Sequence, residues 1–182
     1  MQHRATPSEK AKLTGCRFFH NHMTAEPVAA LFGWGTPEYG EAAAEIRLML
    51  LSKALSQTGA PDVVFTFVWA FDLDADHAFI RDLHSRASSF GARVMFVELT
   101  ASRAARIARE GTPLRLALKP VKRDVERARA YHEHIDARHS MNSRGDFPYP
   151  QSHLIIDTER LEPNEAARHI AIRFGLPIQG AA

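Results

Sequence analysis

Asp62-Val63-Val64-Phe65-Thr66-Phe67-Val68-Trp69 is the stretch on which the fold turns. It is almost continuously apolar, rich in β-branched and aromatic residues, and preceded by the breaker Gly59-Ala60-Pro61. A run of this length and composition predicts a strand buried on both faces, as in a parallel sheet. Downstream, Asp74 to Phe90 repeats apolar residues at helical spacing, with Phe79, Ile80, Leu83 and Ala87 on the inner face. Arg93-Val94-Met95-Phe96-Val97-Glu98-Leu99 then reads as a second buried strand. Strand, helix and strand in this order make a crossover unit.

The pattern extends in both directions. Thr6-Pro7-Ser8-Glu9 predicts a helix start with proline in the first turn, and Gly15 stops that helix after about two turns. Cys16-Arg17-Phe18-Phe19-His20 follows as a short strand. Residues 24–58 read as mostly helical, interrupted at Gly33-Trp34-Gly35-Thr36-Pro37, with Ile46, Leu48, Leu50, Leu51 and Leu55 lining the second helix. Charged helices over Ser102–Glu110 and 123–137 flank a Gly111-Thr112-Pro113 break. His153-Leu154-Ile155-Ile156-Asp157 is the last strand, and Glu162-Pro163-Asn164-Glu165 opens a helix that Gly175 closes. Four strands alternating with helices predict one three-layer α/β domain over 1–182, a parallel sheet with helices on both faces. Ligands of such sheets bind outside the carboxyl ends of the strands. Those ends are His20-Asn21-His22, Ala70-Phe71-Asp72, Leu99-Thr100 and Asp157-Thr158.

Composition narrows the function classes. Hydrophobic residues make up 45% and charged residues 24% of the 182, an ordinary globular balance. One cysteine, Cys16, permits no internal disulfide, has no activating neighbour in sequence, and fits a reducing, cytoplasmic setting. No apolar run is long enough to span a membrane. The net charge of +2 is unevenly spread: Ala101 to Arg144 holds eleven Lys or Arg against five Asp or Glu. Such a segment draws phosphate. Aromatic residues are not interleaved with these charges and no base-reading motif occurs, so nucleic acid is not the expected partner.

Several motifs carry a family resemblance. Leu13-Thr14-Gly15-Cys16-Arg17-Phe18-Phe19-His20-Asn21-His22-Met23-Thr24, Phe65-Thr66-Phe67-Val68-Trp69, Lys119-Pro120-Val121-Lys122-Arg123-Asp124, Asn142-Ser143-Arg144 with Phe147-Pro148-Tyr149-Pro150, and Asp157-Thr158 resemble the shikimate-kinase-like P-loop proteins, also catalogued as AAA-family ATPases. The resemblance implies a nucleoside-kinase-like sheet of five parallel strands in the order 2-3-1-4-5, with ATP and Mg²⁺ as cofactors and a small molecule as acceptor. The family's opening strand and G-x-x-x-x-G-K-[ST] loop, which cradles the phosphates, have no counterpart here. Gly35 with Gly40 and Gly175 with Gly180 have the right separation but lack the following Lys and Ser/Thr. A central strand of about five residues contributes on the order of 10 kcal/mol of burial, comparable to the roughly 5–15 kcal/mol net stability of a domain. The expectation is therefore that Met1 is not the native start. The alternative is a degenerate relative that has given up ATP.

The candidate site residues follow, each with its plainer reading. The resemblance puts acceptor-orienting groups at His20, Asn21, His22 and Thr24; His20 has a side chain suited to a general base near neutral pH. Asn21 and His22 otherwise simply cap the next helix. Asp72 stands where a P-loop protein holds a Mg²⁺-associated carboxylate, and Asp74 or Asp76 otherwise caps a helix. Arg115, Lys119, Lys122 and Arg123 match a lid over about 111–124 that would stabilise charge on a transferring phosphoryl group, with Arg115 foremost because Leu114 and Leu116 flank it. Arg144, Asp157 and Thr158 are the nucleotide-side candidates. No metal site is expected from His132, His134 and His139, since an i, i+2 pair diverges on a helix. The leading reading is a P-loop small-molecule kinase or ATPase; the alternative is a non-catalytic, pseudokinase-like module for a phosphorylated or anionic ligand.

Overall fold

A computed structural model describes residues 6–109 and 125–178. Helix α1 (Thr6–Thr14) leads into strand β1 (Arg17–His20), followed by helices α2 (His22–Phe32) and α3 (Pro37–Leu55). Strand β2 (Val63–Thr66), helix α4 (Asp74–Ser89) and strand β3 (Phe96–Thr100) form the central crossover. Helices α5 (Arg103–Arg109) and α6 (Val125–Arg138) come next. Strand β4 (His153–Asp157) and helix α7 (Pro163–Phe174) end the fold.

Local chemistry accounts for the boundaries. Thr36 precedes α3 in an extended conformation and its side chain accepts from the Tyr39 N–H, with Pro37 at the first helical position. Helix α7 opens with reciprocal bonds between Glu162 and Glu165 and ends at Gly175, whose φ of 63° is left-handed. Two of the strands are shorter than their apolar runs. Pairing in β2 stops at Thr66, and the third strand begins at Phe96 rather than Arg93.

The strands are parallel but fall into two separate pairs, β1 with β2 and β3 with β4. Val63–Thr66 and all of β1 but its first residue are half-buried, and Val68 just beyond is 58% exposed. The sequence pattern of a strand enclosed on both faces is therefore met only in part, and among the described residues β2 pairs with β1 alone.

Each strand pair has its own core. Phe79 and Ile80 of α4 and Leu48 of α3 pack with Phe65, Phe67 and Trp69. Phe96 of β3 and Tyr149 join the same cluster and link the two halves. On the other side, Ile170, Ala166 and Phe174 of α7 bury Ile156, Leu154 and Val97. Helix α1 lies against β1, β2 and α7, and so spans both strand pairs. Among the described residues no helix is long and apolar enough to cross a membrane.

Candidate functional site

In each parallel pair the carboxyl ends of the two strands lie side by side, and a polar cluster follows each. The first lies beyond β1 and β2. His20 ends β1, and its ring centroid is 6.1 Å from that of His22. Asn21 precedes α2, but its side chain makes no capping bond. Its carbonyl instead accepts from the Thr24 and Ala25 N–H groups and from Thr24 Oγ1 at 3.0 Å. Thr24 is thereby fixed and buried, and its hydroxyl oxygen accepts from Nε of Arg47 at 3.1 Å.

Arg47 is a residue that the sequence pattern did not single out. It sits on α3 within Ile46-Arg47-Leu48-Met49-Leu50-Leu51 and is 9% exposed. Burial lowers its pKa below the usual arginine value, with Tyr39 and Asp76 acting in the opposite sense. Among the described residues no carboxylate lies within ion-pair distance of it. A lone arginine inside an apolar helical run was the available signal.

Asp76 faces the same region from the first turn of α4. Its Oδ2 accepts from the Ala70 N–H at 2.8 Å, which fixes the turn after β2. Burial raises its pKa from 3.8, opposed by the Ala70 N–H and by His77, His139 and Arg47. His77 donates from Nε2 to the Phe71 carbonyl at 3.0 Å.

Asp72 is occupied on both oxygens. Oδ1 accepts from the Ser140 N–H at 2.8 Å, and Oδ2 is 3.0 Å from His139 Nδ1. These contacts, the Ser140 N–H first, hold its carboxyl below the usual range. Asp72 thus ties the turn after β2 to the end of α6. It does not fit an open Mg²⁺ ligand, and the described residues gather no group of three His, Cys, Asp or Glu suited to a metal.

The second cluster lies beyond β3 and β4. Thr158 donates from N and Oγ1 to the Thr100 carbonyl, both at 2.9 Å. Arg109, at the end of α5, donates to Thr158 Oγ1 at 2.9 Å and to its carbonyl at 2.8 Å. Asp157 accepts from the Glu159 N–H and pairs with Arg160. Arg106 and Asp136 form a two-bond pair at 2.8 Å that joins α5 to α6. Arg109 was hidden in the basic run, where nothing distinguished it from its neighbours.

Between the clusters, Glu98 organises the Asn142-Ser143-Arg144 turn. Its carboxylate accepts from the Ser143 N–H at 3.0 Å and hydroxyl at 2.7 Å, and His153 Nε2 is 3.2 Å away. Ser143 is buried, whereas Arg144 is exposed in a left-handed conformation with φ 52°. No bond among the described residues joins Arg144 to Asp157 or Thr158. Burial lowers the His153 pKa against the pull of Glu98. Its ring stacks on Phe147 with centroids 3.7 Å apart. Glu98 was legible only as a charge inside an apolar strand.

Of the remaining candidates, Cys16 is a free thiol whose Sγ is 2.9 Å from Thr14 Oγ1. Arg115, Lys119, Lys122 and Arg123, with the rest of the lid, lie outside the described residues. No family model and no curated protein matches the sequence. The chain does resemble a solved structure. Over 95% of this chain and 91% of the other it superposes on the tunicamycin resistance protein of Deinococcus radiodurans, with TM-score 0.55 and 19% identity. At that identity the likeness speaks for the fold.

Proposed function

We propose that this is a small-molecule kinase-like domain of the P-loop type and that the β1/β2 cluster is its acceptor side. The observation that supports the reading is the convergence of Arg47, Thr24 and Asp76 beside a parallel strand pair whose first strand ends at His20, the carboxyl side on which α/β folds bind ligands. Arg47 would hold an anionic or oxygen-rich part of the acceptor, since a guanidinium in a desolvated site binds oxygen anions more strongly than one in water. His20 would take the proton of the acceptor hydroxyl. Thr158 and Arg109, with Arg144, form the nucleotide side. The basic segment carrying Arg115, Lys119, Lys122 and Arg123 would neutralise charge on the transferring phosphoryl group. ATP would donate that group, and Mg²⁺ would screen its charge. Asp72, the carboxylate expected to attend Mg²⁺, is bonded on both oxygens to Ser140 and His139.

A second reading, a non-catalytic module for an anionic ligand, draws support from the same buried Arg47 and from the closed contacts of Asp72. One calorimetric experiment separates the two. The chain is titrated with a panel of hydroxylated and phosphorylated small molecules, with and without MgATP. Tunicamycin heads the panel because the structural neighbour is a tunicamycin resistance protein. Acceptor binding accompanied by ATP turnover supports the kinase reading. Arg47-dependent binding with no turnover supports the module. Failure of every compound to bind, in either condition, defeats both.

A further inference from the structure

A further concave site lies at the opposite end of the β3/β4 pair from Thr158. The two strands begin side by side, with Phe96 against His153. The residues leading into them meet the last turns of α4 and α7 in a groove of about 390 Å³. That volume suits a small molecule. Its wall carries His84, Arg93, Gln151, Ser152 and Arg173, and no aspartate or glutamate lines it. The chain as a whole is nearly balanced, with 23 Lys or Arg and 21 Asp or Glu, so this one-sided wall is a local arrangement.

Neither arginine is spent on the protein itself. Among the described residues no carboxylate pairs with Arg93 or Arg173, whereas Arg86, Arg106 and Arg160 each meet an aspartate. Nor are the two needed to close the helix ends. The Phe90, Gly91 and Ala92 N–H groups donate to carbonyls in the last turn of α4. The Gly175 and Leu176 N–H groups do the same for α7. Arg173 is instead held by a ring, its guanidinium carbon 5.5 Å from the centroid of the buried Phe174. A ring face attracts the charge but leaves the in-plane N–H donors available. His84 is fixed as well, its ring stacked on Tyr149 with centroids 4.7 Å apart.

We propose that this groove binds a small oxyanionic molecule, carrying a phosphate or two or more carboxylates, between Arg93 and Arg173. Two guanidinium forks match the paired oxygens of such groups. Gln151 and Ser152 add neutral donors beside them. The groove also touches both halves of the fold, since Tyr149 under His84 belongs to one core and Phe174 to the other. A bound anion therefore links the lead into β3 to the end of α7 and fastens the two cores together. The inference is independent of the kinase reading, because it uses none of the residues placed on the acceptor or nucleotide side.

An amide-resolved NMR titration of the full chain tests it with pyrophosphate and with citrate, at an ionic strength held constant with sodium chloride. The amides of Ala92, Val94 and Ser152 shift and saturate. Arg93→Gln and Arg173→Gln each weaken that binding by about tenfold, the loss of one charge-assisted contact, and the double variant abolishes it. Both side chains are exposed, so the variants keep the fold, which circular dichroism checks. Arg168→Gln, exposed on the same helix but outside the groove, removes the same charge and changes the affinity by less than about twofold. Saturation by pyrophosphate alone assigns the phosphate class, and saturation by citrate alone the polycarboxylates. Three results overturn the proposal. One is no saturable shift at these amides with either anion. Another is an equal weakening by Arg168→Gln, which marks net charge alone. The third is unchanged binding in the double variant.

Discussion

Replacing Ser143 by alanine removes a short bond to a nearly buried carboxylate and a long one, 3.4 Å, from the Gly145 N–H, and leaves the backbone bond to Glu98 in place. The Glu98 and His153 side chains are only 10% and 9% exposed, and Ser143 is 6% exposed, so water does not replace what is lost. The hydroxyl–carboxylate bond is short, at 2.7 Å, and charge-assisted. A hydrogen bond to a charged group contributes about 1.5–3 kcal/mol. The Ser143 N–H at 3.0 Å stays on Glu98 and limits the damage. The expected loss for Ser143→Ala is therefore about 2 kcal/mol, which for a domain of this size lowers the Tm by roughly 4–8 °C. Ser143→Thr keeps the hydroxyl and recovers part of the loss. Glu98→Gln replaces the charged acceptor by a neutral one, so adding Ser143→Ala to it costs only about 1 kcal/mol more. Urea unfolding followed by tryptophan fluorescence and circular dichroism measures the parent and the four variants. A Ser143→Ala loss below about 0.5 kcal/mol, or strictly additive effects of the two substitutions, would refute the claim that Glu98 holds this turn.

Arg47→Met removes a desolvated charge that no described carboxylate matches at contact distance. The variant should be no less stable than the parent by thermal unfolding, since replacing buried charge by apolar volume is often neutral or stabilising. It should also bind an anionic acceptor at least about tenfold more weakly by calorimetry. Asp76 has a folded-state pKa raised above 3.8, so its contribution is full below that value and is lost as pH rises through the folded pKa. Asp76→Asn, which keeps an oxygen to accept from the Ala70 N–H, should thus gain stability relative to the parent near pH 7. That gain should vanish below pH 3.8; an unchanged difference across the range would contradict the assignment. Arg109→Ala deletes both bonds to Thr158 and should cost about 1–2 kcal/mol, with faster amide exchange confined to α5 and the turn after β4.

Much of the architecture was legible because it is written in local patterns. The helix at Asp74–Ser89 repeats its apolar residues every three or four positions, and the terminal helix carries its own capping residues and closing glycine. The strand at His153–Asp157 is an apolar run between polar ends. The site was less legible. His20, Asn21, His22 and Thr24 could be singled out as candidates because they lie at and just beyond the end of a strand, the side on which α/β folds bind ligands. Arg47 and Glu98 were not, because a charge inside an apolar run has no meaning until its neighbours in space are known. Asp72 shows the converse: a carboxylate at a strand end suggests a metal, but Ser140 and His139 already occupy it.

The sequence by itself determined which segments are helix and strand, the parallel α/β class, and the edge at which polar residues collect. These follow from periodicity, turn chemistry and chain direction, all of which act over a few residues. Only the tertiary structure decided that the strands fall into two pairs, that Phe96 and α1 hold those pairs together, and that Arg47 reaches Thr24 across 23 positions of sequence. Strand order and the partner of a buried charge depend on contacts between distant segments. No local pattern encodes those contacts, because packing and electrostatics act through space and not along the chain.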